Sequence, residues 1–166
     1  MKVSIASFCL GVLMFVSCSK DSNTPTLLSA SSSATIDGVA WSNPLLVPPF
    51  AVKTSTGFTI TMSSLSGTVT STLIVQLFGT TTGTYNVSLV SGGNKCTAVY
   101  TPSLLTPTDT YASTVGKVSV TEINTTNKTI SGTFSFTCVN TGMISKKIEN
   151  GKFTNAKYTE STPTTK

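Results

Sequence analysis

The chain has 166 residues, of which eleven are basic and six acidic, giving a formal net charge of +5, and it contains no histidine. Without histidine, Ser-His-Asp and Cys-His catalysis are excluded, and the commonest metal ligand is missing. Every basic residue is a lysine, and Lys146-Lys147 is the single adjacent pair, which does not make the clustered Lys/Arg face of a nucleic-acid binder.

Met1-Lys2 opens the chain with a positive charge, and Val3 to Val16 is almost wholly apolar. A basic start, a short apolar run and a small residue at the cut describe a secretory signal. The polar run from Ser19 to Asn23 ends the apolar stretch short of the roughly 20 residues that a transmembrane helix needs. Phe15-Val16-Ser17-Cys18 resembles a bacterial lipobox. The resemblance implies that residues 1–17 are a lipoprotein signal peptide, that the Cys18 thiol takes a diacylglycerol, and that the mature chain begins at Cys18. Two or more acyl chains hold a protein stably to a bilayer, so the membrane is the first expected partner, through lipidated Cys18. Asp21 resembles part of the short surface-export signals of Bacteroidetes lipoproteins. The expected location is the outer membrane, on its periplasmic face or at the cell surface.

Residues 18–33 are rich in Ser and Thr and include Pro25, the composition of a flexible tether. Residues 34–160 read as one domain, long enough for a core of its own, and residues 161–166 as a polar tail. Alternation runs through the domain. Phe58-Thr59-Ile60-Thr61-Met62, Tyr85-Asn86-Val87-Ser88-Leu89 and Val118-Ser119-Val120-Thr121 each carry apolar residues on one parity and polar ones on the other. Period two means a strand with one face in the core and one in water. Leu73 to Phe78 is apolar on both parities apart from Gln76, and reads as a central strand covered on two sides. Gly-, Ser- and Asn-rich turns and two Pro-containing loops divide the domain into about nine or ten strands. With no crossover helices, these predict a single antiparallel β-sandwich, with a closed lipocalin-like β-barrel as the alternative.

Near the end, Val118 to Ile123 and Thr129 to Val139 read as one hairpin, and Asn140-Thr141-Gly142 turns into a strand from Met143 to Tyr158. Asn150-Gly151 within it suits a two-residue hairpin turn. It also suits a bulge, because Ile144 and Ile148 are even and Phe153 odd, and one extra residue flips parity. The length of the preceding strand, which wants a partner equally long, favours the bulge. Ile36-Asp37-Gly38-Val39-Ala40-Trp41, Ile130-Ser131-Gly132-Thr133-Phe134-Ser135-Phe136 and Asn150-Gly151-Lys152-Phe153 together resemble a group of small Bacteroidetes lipoproteins of unknown function. The resemblance spans most of residues 34–158 and implies an all-β, lipid-anchored envelope domain. Its motifs are structural and transfer no catalytic residue.

The acids of the domain are Asp37, Asp109, Glu122, Glu149 and Glu160. None is placed as one of the paired carboxylates of a glycosidase, and no acidic loop suits a metal. No cofactor is expected. Trp41, the single tryptophan, reads as core, although an indole can also stack on a sugar ring. With Cys9 discarded and Cys18 acylated, Cys96 and Cys138 remain as an even pair in an oxidising compartment. Both share parity with core-facing neighbours, so a disulfide between them is a candidate, worth roughly 3–4 kcal/mol on the chain-entropy estimate. Two buried free thiols are the alternative. The expected function is therefore non-enzymatic: a lipid-anchored envelope protein that binds or scaffolds a polysaccharide or a partner protein. The alternative is a carrier of a small apolar ligand in a barrel cavity.

Overall fold

The computed structural model describes residues 29–44, 46–88, 93–106 and 109–161. The signal segment, Cys9, Cys18 and most of the expected tether lie outside the described residues. The described chain is all β, with ten strands: β1 Ser31–Ile36, β2 Val39–Ser42, β3 Phe50–Lys53, β4 Phe58–Ser66, β5 Val69–Phe78, β6 Gly83–Val87, β7 Lys95–Thr101, β8 Tyr111–Asn124, β9 Thr129–Val139 and β10 Ser145–Glu160. The first strand begins three residues before Ala34, because Ser32 is already buried and its N–H donates to the Asn43 side chain.

The strands form one sheet in the order β2-β1-β10-β3-β4-β5-β7-β6-β8-β9, and β9 pairs in turn with β10. The ladder therefore returns to a strand it has already used. All ten strands thus belong to one sheet, and its inward residues form a single core. The sixteen residues of β10 make this possible. One edge of β10 pairs with β9; the other pairs first with β1 and then with β3. The sheet is mixed where an antiparallel one was expected: β10–β3 and β6–β7 are parallel. Alternation alone carries no information on strand direction, so these two pairs were invisible in the sequence.

The inward parity is as read. Phe58, Ile60 and Met62 of β4, and Leu73, Val75 and Leu77 of β5, are all but fully buried, with Thr59 and Thr61 facing out. Fully burying one such side chain is worth roughly 1.5–3 kcal/mol. The double covering expected for Leu73–Phe78 is corrected: Ile74 is 39% exposed. The strand is central in hydrogen bonding, between β4 and β7, yet only one of its faces meets the core. The interior is filled by these side chains together with Tyr85, Val118, Ile130, Ile148 and Phe153, as in a packed sandwich core.

Asn150-Gly151 is a bulge, not a turn. Ile148 pairs with Phe136 and Gly151 with Phe134, so Glu149 and Asn150 together oppose Ser135. A second bulge sets Thr154 and Asn155 against Ser131. Asn150 and Asn155, rather than Gly151, take the left-handed conformation, with φ of 52° and 50°. Asn tolerates this region better than most residues. The two bulges move the inward face of β10 from Ile148 to Gly151 and Phe153 and then to Ala156 and Tyr158.

The bridge between Cys96 and Cys138 is not formed; both are free, buried thiols. Cys96 lies on β7 and Cys138 on β9, and β8 runs between them: the Ala98 N–H donates to Ser113 Oγ at 2.8 Å, and Ser113 pairs with Cys138. Two strand spacings amount to about 9.5 Å, beyond the roughly 7 Å that a disulfide spans. Shared inward parity was read correctly, but parity does not say how many strands stand between two residues. Cys96 S–H instead donates to the Tyr85 carbonyl at 3.3 Å. Burial pushes the Cys96 thiol up to about 11 and the Cys138 thiol to about 12, so neither is a nucleophile at neutral pH.

Candidate functional site

The Asp37-Gly38 turn joins β1 to β2 with both residues at positive φ, 48° and 81°, the geometry of a tight hairpin in which Asp-Gly is favoured. The same aspartate docks the hairpin onto the start of β10. Its Oδ2 accepts from Lys146 Nζ at 2.8 Å, its Oδ1 accepts from the Lys147 N–H at 2.8 Å, and its own N–H donates to the Lys147 carbonyl at 2.9 Å. The hydrogen bond from Lys146, then that from the Lys147 backbone, holds the Asp37 carboxyl below its ordinary value. The same contact raises Lys146 above the usual lysine range.

Aromatic side chains converge beside this ion pair. Trp41 of β2 points inward, and its Nε1–H donates to Ser71 Oγ on β5 at 2.7 Å. Tyr100 of β7 and Tyr111 of β8 are buried with ring centroids 6.3 Å apart, and Lys146 Nζ sits 6.0 Å from the Tyr111 ring centre. Burial raises the Tyr100 hydroxyl above its ordinary value, which keeps it a neutral donor. Ile36, Asp37, Trp41, Tyr100, Pro102 and Lys146 line a cleft of about 230 Å³ at this end of the sheet. Ligand pockets for drug-sized molecules run from roughly 300 Å³ upward, so this one takes a single ring or side chain. An apolar aromatic wall beside a fixed carboxylate and ammonium can hold a ring by its faces and its hydroxyls by hydrogen bonds.

Trp41 is thus core, as read, and also wall: it is 7% exposed, with part of the indole lining the cleft. Asp37 is brought to Lys146 across 109 residues of sequence, a meeting that no local pattern announces. The hydroxyl of Tyr111 donates a hydrogen bond to Asp109. Asp109 accepts from Asn140 Nδ2 at 3.2 Å, Glu149 pairs with Lys147 at 2.9 Å, and Glu160 bridges Lys128 at 2.9 Å and Lys53 at 3.3 Å. Among the described residues no group of three or more Cys, Asp or Glu could hold a metal ion, and no helix is long and apolar enough to cross a membrane. Cys18 lies outside the described residues.

Residues 32–157 match one family model, described as a domain of unknown function (DUF6252). No curated protein matches the chain. No solved structure matches it either.

Proposed function

The chain belongs to the DUF6252 family, and on the lipobox-like Phe15-Val16-Ser17-Cys18 of its sequence we propose that it is a lipid-anchored protein of the bacterial outer membrane. It acts there as a binding module and not as a catalyst. The lipid on Cys18 holds it to the membrane, and the segment after Cys18 carries the folded domain clear of the bilayer. The cleft of Trp41, Tyr100 and the Asp37–Lys146 pair receives the ligand, a sugar residue of an envelope polysaccharide. That cleft is the observation that carries the reading: it joins aromatic surface to a hydrogen-bonding ion pair, on a hairpin pinned at both its turn and its second strand.

A binding module is favoured over a carrier of apolar ligands because the inward positions of β4, β5, β8, β9 and β10 are occupied by close-packed side chains. A partner protein presenting one aromatic or aliphatic side chain is the other occupant of suitable size. The test is a glycan array probed with the lipid-free domain, alongside Asp37→Asn/Lys146→Gln. The proposal expects a defined set of saccharides bound by the parent and lost in the double variant. Retention of all binding by the variant contradicts it.

A further inference from the structure

A second surface of the domain carries charge without compensation. Four of the described lysines have acid partners: Lys53 and Lys128 share Glu160, Lys146 holds Asp37, and Lys147 holds Glu149. Lys117 on β8 and Lys152 on β10 have no acid partner among the described residues, and both line the same cleft of about 340 Å³ on the outer face of β8, β9 and β10. Register puts Lys117 opposite Ser135, and Ser119 and Lys152 on either side of Thr133. The two lysines therefore flank a floor of hydroxyls. Asn150 stands at the rim, on the bulge where two residues of β10 face one of β9 and the ladder parts.

The cleft continues. A smaller depression of about 170 Å³ shares Ser135 with it and carries Gly116, Thr137 and the paired Lys147 and Glu149. From Thr133 to Thr137 the groove runs about 14 Å at strand rise, longer than one oxyanion. It offers a positive end and a line of neutral hydroxyl groups.

We propose that this groove binds a saccharide bearing an oxyanion, with a carboxylate, sulfate or phosphate between Lys117 and Lys152 and neutral sugar along Thr133, Ser135 and Thr137. Charge complementarity selects the anion. Ser and Thr hydroxyls donate and accept alike, as sugar hydroxyls require. Thr133 and Ser135 of the floor are held in paired strands, so little ordering is needed on binding. The site shares no lining residue with the aromatic cleft; at its far end the Lys147 backbone bonds to Asp37.

The experiment is titration calorimetry of the lipid-free domain at low salt. The probes are oligogalacturonate, sulfated dextran oligomers, neutral dextran oligomers, and vesicles containing anionic phospholipid. The variants are Lys117→Gln/Lys152→Gln and the charge-matched control Lys95→Gln/Lys157→Gln. The proposal expects binding to at least one anionic oligosaccharide, none to neutral dextran, a loss of about tenfold or more in the first variant, and parent affinity in the control pair. Equal losses in both lysine pairs would mean unspecific attraction and overturn it. So would binding to the anionic vesicles alone, or to none of the anionic oligosaccharides.

Discussion

Phe134 of β9 stands directly opposite Gly151 of β10, and its ring occupies the space that a Cβ on Gly151 would need. The relationship repeats. Phe153 stands opposite Gly132, where an added Cβ would meet the ring at 2.7 Å, and Phe136 opposite Gly116, at 2.9 Å. Each ring thus lies over a glycine on the facing strand, and Phe134 stacks at 5.6 Å on Phe136 and 6.3 Å on Phe153. The sequence motifs at residues 130–136 and 150–153 are two sides of one packing device. Gly151→Ala and Gly132→Ala should each destabilise the domain by about 1–3 kcal/mol, the usual cost of overpacking. Gly142→Ala, whose Cβ would meet nothing closer than 3.4 Å, should change stability by less than about 0.5 kcal/mol. Urea unfolding of the three variants decides it, and equal effects would remove the device.

The pairing of Asp37 should be visible in acid. Its folded carboxyl titrates below the ordinary value of 3.8, so the contact stabilises the domain fully above that value. The contribution is lost as pH falls through the lower, folded value. Parent and Asp37→Asn should therefore differ in thermal midpoint at pH 7 and converge as the pH is taken below 3. A constant gap down to pH 2 would show that the difference is not ionic.

Cys96 and Cys138 should behave as inert thiols. In a variant that begins after Cys18, neither should be alkylated in the native state at pH 8. Both should react on denaturation without reductant, adding two labels by mass. Failure to label the unfolded, unreduced chain would restore the disulfide.

If Cys18 carries lipid, protein from its native host should partition into detergent and exceed the mass of the bare chain. Cys18→Ala should accumulate as uncut precursor. A mature chain starting elsewhere and free of lipid contradicts the anchor.

Much of the fold was legible because burial follows parity: the inward residues of β4 and β9 are read directly from alternation, and the flip between Ile148 and Phe153 marks the first β10 bulge. Strand order was not legible. Whether β10 closes on β3, and whether β8 separates Cys96 from Cys138, depends on long-range pairing that leaves no local trace. The site suffered most from this. Trp41 and Asp37 lie in one motif, but Tyr100, Tyr111 and Lys146 reach them only through the fold.

The central claim is that the Trp41 cleft receives a ligand, and the molecule supplies its own probe, since Trp41 is the single tryptophan. Its fluorescence should be followed while the oligosaccharides selected by the array are added to the lipid-free domain. The account predicts a saturable change in emission, with an affinity matching the array and absent in Asp37→Asn/Lys146→Gln. Binding that saturates with no change in Trp41 emission, and that survives in the double variant, would contradict it.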